Sequence, residues 1–536
     1  MSNQWWMDLA GKLGREKDGE NSSLDLPESR PLQSKLEENI KLFRAIFDRC
    51  SDVQYRFLET KIFSRQAALI YIEGMVDKNL ISQHAVRTLL ELDPSSVSRA
   101  GDLLDLFKEK VLPITQVEET GDVLQASEGV LAGDALFLMD GCSRGLILRA
   151  KGFEIRTIEE SASEQVIRGP RDGFVENVQV NASLLRRRLK SSRLKMEAFQ
   201  RGVYSKTDIV VAYIDGVVDP GVLAEVKKRL TRIDIDAVLE SSYLEEFMED
   251  APWSPFPQIN CTDRPDKVVG GLLEGQVAIL VDNTPFALLV PMAFPLFLHT
   301  SEDYYTRHLF ASFTRLVRFG ALNIALLLPS LYIAIVTFHQ EMLPTSLLLS
   351  LAAGRERTPF PAFLEALLME TTFEILREAG VRLPRPVGQA TSIVGALVIG
   401  DAAVTAGLVS PAMVIVVGLT ALASFIIPTV PGSFSIRLLR FPIMFLAASL
   451  GLYGVMVALM AILIHLCALR SFGVPYLSPL APTEAGALKD SFIRAPWWLM
   501  LTRPRFLSHQ ENKRQDQGQK PRTSPVGSRR RKRRGP

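Results

Sequence analysis

The chain has 536 residues, enough for two or three domains, and its 61 basic and 59 acidic side chains leave a formal net charge of +2. Its four widely spaced cysteines contain no CxxC pair, which argues against a disulfide framework and a zinc site. No dinucleotide, P-loop, nucleophile-elbow or zinc-protease motif occurs, so we predict no enzyme, cofactor or metal. The N-terminus lacks the apolar core of a signal peptide, so internal segments are expected to direct membrane insertion.

The first third of the chain is predicted to begin with a disordered extension over residues 1–30, which are polar and irregular. Residues 31–110 are predicted to form a mainly helical α/β subdomain on the cytoplasmic side. Leu36, Ile40 and Phe43 recur there at helical spacing, with charged residues between them.

A second cytoplasmic α/β subdomain is predicted over residues 111–285. Strand, helix and strand patterns at 208–214, 220–233 and 275–281 indicate a βαβ-like module. The segment 177–195 is strongly basic, but no aromatic residues are interleaved with its charges. A solvated or interfacial helix face is therefore favoured over a nucleic-acid site, and no nucleic-acid partner is predicted.

The region 286–470 holds almost all the long uncharged runs and is predicted to be a transmembrane domain. Two apolar runs, 286–298 and 342–353, are too short to span and suggest interfacial or re-entrant segments. Four predicted spans lie near 319–338, 387–408, 411–428 and 441–465. The predicted fold class is therefore mixed, with N-terminal cytoplasmic α/β domains followed by a polytopic α-helical transmembrane domain.

The orientation of these spans stays open. Three arginines precede the first span and favour a cytoplasmic N-terminal region: Arg307, Arg315 and Arg318. The basic C-terminal tail favours the same side, which four spans satisfy. Four spans nevertheless place Arg377, Arg382 and Arg385 outside, against the positive-inside tendency.

Small residues at four-residue spacing are candidates for close helix packing. They are Ala403 with Gly407, and Ala447 with Gly451. Small residues are common in membrane helices, so this pattern is suggestive only.

The C-terminal region, residues 471–536, ends in a tail predicted to be disordered. The last 34 residues hold twelve Lys or Arg against two acids, with an unbroken basic run at 529–534. A solvated charge run and attraction to anionic membrane lipid are weighed equally.

An amphipathic helix is predicted at 360–379, immediately before the second span. Glu370, Glu374 and Glu378 follow one another at four-residue spacing and form one stripe, with Arg377 beside them. This helix either lies in the interface with its carboxylates in water, or contributes carboxylates to rings around a cation path. The residues alone favour the first interpretation.

Asp401 shifts the balance toward the second interpretation. It is the one acid within the predicted span 387–408. An acid in a membrane span is costly and usually faces a cavity or a partner. The alternative is a structural hydrogen bond to the backbone or to Thr405.

The segment 365–411 reads EALLMETTFEILREAGVRLPRPVGQATSIVGALVIGDAAVTAGLVSP and follows Pro-Phe-Pro at 359–361. It closely resembles the A-subunit family of spore germinant receptors, the GerA family. Other segments match that family's pattern in order: GPRDGFVEN at 169–177, TDRPD at 262–266, LEGQVAILVDNTPFALLVP at 273–291 and EDYY at 302–305. The resemblance covers roughly residues 31–482.

The resemblance implies a multi-pass protein of the spore inner membrane. Such A subunits work with a permease-like B subunit and a lipoprotein C subunit, detect small nutrients and trigger germination through ion release. Members are thought to oligomerise around a central pore. A sister branch associated with dipicolinic-acid release shares these motifs, so both systems stay open.

We therefore expect a non-enzymatic, oligomeric receptor subunit with a gated cation path. Glu370, Glu374 and Glu378 are the candidates for its lining, and Asp401 is the candidate for a gate or packing role. A substrate-carrying transporter is a rival, but the inverted repeat that it predicts is not convincing in the sequence. A scaffold that only holds the receptor together is the third interpretation.

Overall fold

The computed structural model describes residues 29–59, 66–82, 104–105, 108, 116–152, 161, 164, 166–382, 398–484, 486–508 and 512–521. The predicted N-terminal extension, apart from its last two residues, and the basic run at 529–534 lie outside the described residues. The described chain contains two five-stranded sheets with their helices, followed by a group of long helices.

The first subdomain is one antiparallel sheet with the strand order β1-β2-β4-β5-β3. Its elements are α1 (Leu36–Ile46), β1 (Val53–Glu59), β2 (Gln66–Ile72), α2 (Lys78–Leu80), β3 (Val117–Thr120), α3 (Val123–Leu131), β4 (Ala135–Met139) and β5 (Gly145–Leu148). Helices α1 and α3 cover one face, and apolar side chains also bury the other face. Burial on both faces explains why β4 and β5 are continuously apolar.

The second subdomain repeats this order with β6-β7-β9-β10-β8. Its elements are α4 (Val178–Arg188), β6 (Leu194–Arg201), β7 (Thr207–Ile214), α5 (Pro220–Arg232), α6 (Ser241–Met248), β8 (Asn260–Thr262), α7 (Pro265–Glu274), β9 (Val277–Val281) and β10 (Ala287–Val290). The predicted βαβ-like relation of β7 to β9 is wrong, because these strands pair antiparallel. The parallel crossover instead joins β8 to β9 through α7, with β10 between the two strands.

The two subdomains are an internal repeat. Helices α1 and α4, strands β4 and β9, and strands β5 and β10 each start 142 residues apart, the separation of Leu36 from Val178. The sequence carries the repeat at 71–77, which reads YIEGMVD, and at 213–219, which reads YIDGVVD. The sequence analysis missed this repeat, because seven residues are a short match across such a separation.

Side-chain hydrogen bonds repeat with the same separation. Asn39 accepts a hydrogen bond from the backbone N–H of Gln33 at 2.9 Å and donates to its carbonyl at 2.7 Å. Asn181 does the same to Val175, at 2.8 and 2.6 Å. Both asparagines are buried. The first turn of each subdomain's leading helix is therefore held by the same clamp.

The helical part follows the second sheet. Its elements are α8 (Glu302–Tyr305), α9 (His308–Phe338), α10 (Thr345–Arg355), α11 (Ala362–Arg382), α12 (Pro411–Phe425) and α13 (Val430–Ala468), and residues 398–405 are also helical. Within the described residues, α9 and α13 are long and apolar enough to cross a membrane. The predicted spans at 319–338 and 441–465 lie inside these two helices, and 411–428 contains α12. The span at 387–408 is described only from residue 398, so the number of crossings stays a prediction.

The interfacial segment predicted at 286–298 is wrong over its first half. Ala287–Val290 is strand β10, fully buried and paired with β8 and β9. Phe294–Leu298 is a short 3-10 helix that leads toward α9. A short apolar run has the same composition in a buried strand as in a membrane segment, so composition did not separate the two.

After α13 the chain returns to the second sheet. The hairpin of β11 (Arg470–Ser471) and β12 (Val474–Pro475) places Phe472 in the core of the second subdomain. Ser471 Oγ donates to the carbonyl of Gln258 at 2.7 Å and accepts from the N–H of Met292 at 3.0 Å. The end of α13 is thereby fixed to the α/β part.

The repeated clamp predicts matched effects of two substitutions. Asn39→Ala and Asn181→Ala should each lower the free energy of unfolding by about 1–3 kcal/mol, because each removes two hydrogen bonds made by a buried side chain. Gln33→Ala should have little effect, since only its backbone takes part. Thermal unfolding of the purified chain measures all three. A loss in only one of the two asparagine variants would contradict the equivalence of the clamps.

Candidate functional site

The predicted acidic stripe lies on helix α11, and its three glutamates differ in burial and in their partners. Glu370 is fully buried, and the Glu374 side chain is 20% exposed; both contact α13. The Glu378 side chain is 65% exposed and pairs with Arg382 one turn later. Glu365, earlier on the helix, is buried and accepts from the N–H of Ser410 at 3.0 Å, at the start of α12.

The ion pair of Glu370 with Arg440 joins three helices. Pro329 has no N–H, so the carbonyl of Ala325, four residues earlier, has no helical donor in α9. Arg440 Nε donates to this carbonyl at 2.9 Å, while its Nη1 pairs with Glu370 Oε2. Both charged side chains are about 1% exposed. One guanidinium from α13 therefore binds α9 and α11 together.

A second ion pair lies three residues earlier on α13. Arg437 Nε donates to Glu374 Oε1 at 2.9 Å. On the next turn of α11, Arg377 donates to Ser424 Oγ at 2.8 Å and its guanidinium lies 4.2 Å from the ring centre of Phe425 on α12. Glu370 and Glu374 of the acidic stripe are thus each paired with an arginine of α13.

The sequence analysis missed Arg437 and Arg440 as part of the site. The available signal was their three-residue spacing immediately before the apolar run 441–465. Charged residues next to or inside such a run are costly without a partner, so they point to an acidic counterpart. Which carboxylates supply it was a question of tertiary structure.

Asp401 lies apart from these pairs. It is exposed on the helical stretch 398–405 and has no hydrogen bond or ion pair to a described residue. In particular, it makes no hydrogen bond to Thr405. The structure therefore does not bring Asp401 together with Glu370 and Glu374 within one chain.

The four small residues divide into two kinds. Ala403 and Ala447 are buried in the same apolar cluster. Gly407 and Gly451 have φ angles of +69° and +62°, so they provide backbone conformations that favour glycine. Gly451 interrupts α13, where a Cβ would lie 2.8 Å from His339 Cε1. A common packing seam of all four residues stays a prediction.

A second polar cluster lies at the start of α9. Asp303 accepts from Arg315 Nε at 3.0 Å and from Arg318 Nη1 at 2.8 Å. Arg315 Nη1 also donates to Asp490 Oδ1 at 2.8 Å, which ties the C-terminal segment to α9. Burial opposes ionisation of Asp303, but the two guanidinium groups outweigh it, and its pKa lies below the usual value.

His299 is buried beside this cluster. Its Nε2 donates to the carbonyl of Ser491 at 2.9 Å, and its Nδ1 has no partner among the described residues. Burial, together with the positive charge of Arg315, lowers the pKa of His299 to about 4. The contact with the C-terminal segment is therefore made by a neutral imidazole.

The described residues hold no group of three His, Cys, Asp or Glu side chains that is placed to bind a metal ion. The polar chemistry of the helical part consists instead of ion pairs between apolar helices.

The family model described as Bacillus/Clostridium GerA spore germination protein matches residues 41–506, and the chain belongs to this family. The resemblance found in the sequence is thereby confirmed. Spore germination protein KA of Bacillus subtilis (strain 168) is 47% identical over 464 residues, covering 86% of this chain and 84% of that protein. Spore germination protein B1 of the same organism is 37% identical over 489 residues, covering 90% and 99%.

Two further similarities concern the membrane and the N-terminal half. The uncharacterized membrane protein YfkQ of Bacillus subtilis (strain 168) is 46% identical over 479 residues, covering 89% of this chain and 92% of that protein. The N-terminal domain of the A subunit of the Bacillus megaterium spore germinant receptor GerK3 is 32% identical. It covers 50% of this chain and 98% of that domain, with a TM-score of 0.41. Family membership and the spore germination proteins KA and B1 support a germinant receptor role.

The buried ion pair gives a prediction with an internal control. Glu370→Gln should destabilise the helical part by about 3–5 kcal/mol, because Arg440 then stays buried without a carboxylate. Replacing both residues by Met should recover only part of the loss, since both charges are removed but the buried carbonyl of Ala325 loses its donor. Glu378→Gln, at an exposed pair, should cost about 0.5 kcal/mol or less. Thermal unfolding of the chain in detergent compares them; equal losses at Glu370 and Glu378 would contradict the assignment.

His299 gives a pH prediction. The folded-state pKa of about 4 lies below the ordinary value of 6.5. Its contribution to stability is therefore fully present above pH 6.5 and falls as the pH drops toward 4, by about 1.4 kcal/mol for each unit of difference. In His299→Gln this part of the acid sensitivity should disappear. Melting temperatures across that pH range test it, and parallel curves for the two proteins would refute it.

Proposed function

We propose that the chain is the A subunit of a spore nutrient germinant receptor and that copies of it form a gated cation path. Family membership supports the first part. The resemblance implies a permease-like B subunit and a lipoprotein C subunit as partners. In this proposal the helical part crosses the spore inner membrane several times, and the two α/β subdomains lie on the cytoplasmic side.

The observation that supports the cation path is the exposure of Asp401. This carboxylate lies on the outer side of an apolar helical stretch and pairs with no described residue. A carboxylate directed into lipid is costly, so the side chain faces water or another protein surface. Several copies around an axis provide both, and rings of carboxylates favour cations.

In this proposal the ion pairs between α11 and α13 hold the cation path closed. Glu370 and Glu374 are neutralised by Arg440 and Arg437, so they attract no cation in the arrangement described here. Movement of α13 away from α11 would free both carboxylates. Glu378, already on the exposed side of α11, would lie at the mouth of the path.

The test is potassium release from spores after exposure to a germinant. Asp401→Asn should slow release severalfold, because it removes a path carboxylate while keeping the shape of the side chain. Thr405→Ser, one turn further along the same helical stretch, is the matched control and should release potassium normally. Immunoblots of spore membranes establish that equal amounts of protein are compared.

Two outcomes would contradict the path. Normal release and ion selectivity in both Asp401→Asn and Glu370→Ala/Glu374→Ala would leave a scaffold role, with the path in another subunit. Normal germination in spores that lack the chain altogether would instead contradict the receptor role. The two parts of the proposal therefore fail on different results.

A further inference from the structure

A cavity of about 520 Å³ lies where the second α/β subdomain meets the helical part. One wall is formed by α6 and the loop after it, with Glu245, Glu249 and Phe256. The opposite wall is formed by α13, with Phe434 and Phe441. The volume falls in the range of small-molecule sites. A ligand bound there would contact both halves of the chain.

The loop at 254–257 is fixed in place between the two halves. Ser254 Oγ lies 2.8 Å from His465 Nε2, near the end of α13, and Ser435 Oγ donates to the carbonyl of Pro255. The ring of Phe256 is buried between His465 and Tyr476, with ring centres 6.1 and 6.5 Å away. This wall of the cavity is therefore preformed.

The cavity has excess negative charge. Glu374 also lines it, but Arg437 neutralises that carboxylate. Glu245 and Glu249, one helical turn apart, are paired with no cationic side chain among the described residues. Burial and the neighbouring carboxylates raise the pKa of Glu245 to about 7. A positive charge placed between these two residues would remove their repulsion.

The remaining lining favours an organic cation over a metal ion. A metal such as calcium needs six to eight oxygen ligands around it, whereas these carboxylates lie on one wall only. The opposite wall presents Pro431, Leu438, Phe434 and Phe441 of α13. Aromatic faces attract ammonium groups and pack against their carbon chains.

We propose that this cavity binds a small organic ammonium ion, with its nitrogen between Glu245 and Glu249 and its carbon chain against Phe434 and Phe441. The ligand would link α6 of the second subdomain to α13, next to the pair of Glu374 with Arg437. The proposal of this binding site is independent of the cation path. Ligand binding is measured on the purified chain, so its result does not depend on potassium release from spores.

The experiment titrates the purified full-length chain in detergent with n-butylammonium chloride, at a pH above 7 so that Glu245 is ionised. Calorimetry or a melting-temperature shift reports binding. Potassium chloride at equal ionic strength and 1-butanol, a neutral molecule of the same size, are the comparison ligands. We expect saturable binding of butylammonium and no comparable response to the other two.

The variants locate the site. Glu245→Gln/Glu249→Gln should weaken butylammonium binding about tenfold or more, because the charge-assisted contacts are lost. This variant is expected to fold, since it removes like charges from one helical turn. Glu246→Gln is the matched control, because Glu246 is exposed on the same helix and does not line the cavity.

Each contrary result overturns the proposal in a defined way. An equal response to potassium would contradict an organic ligand, and an equal response to 1-butanol would contradict a charged one. Unchanged binding in the double variant, or equal loss in Glu246→Gln, would place the ligand elsewhere. No binding to the wild-type chain would refute the site.

Discussion

The guanidinium of Arg440 is the contact on which the helical part depends. It satisfies the carbonyl of Ala325, which Pro329 leaves without a donor, and it pairs with the buried carboxylate of Glu370. Removing either charge leaves the other one buried without compensation. The guanidinium of Arg440 therefore links helices α9, α11 and α13. Pro329 lies inside α9 and leaves the carbonyl of Ala325 without its helical donor. This carbonyl is the acceptor for Arg440 of α13.

This arrangement is connected to the α/β half at two places. At the end of α13, the hairpin of β11 and β12 inserts Phe472 into the core of the second subdomain. Just before α9, the hydroxyl of Tyr305 in α8 donates to Asp266 Oδ2 in α7 at 2.6 Å. The second subdomain and the helical part are therefore held together by direct contacts.

The two repeated subdomains share one architecture but make different contacts. Both keep the asparagine clamp and the same strand order. In the second copy, the loop after helix α6 reaches α13, with Ser254 beside His465. The two copies contact each other through Arg186, which pairs with Asp52 and is fully buried.

The sequence by itself determined the features that depend on local pattern. The apolar runs within α9 and α13, the acidic spacing of α11 and the ordered motifs of the family are all periodic or contiguous, so they are visible along the chain. Tertiary structure alone decided that Glu370 and Glu374 turn toward Arg440 and Arg437, 70 and 63 residues away. It also decided that the apolar run at 287–290 is a strand within a sheet. A charge or an apolar run shows that a partner is needed, but only the packing of distant segments selects which partner it meets.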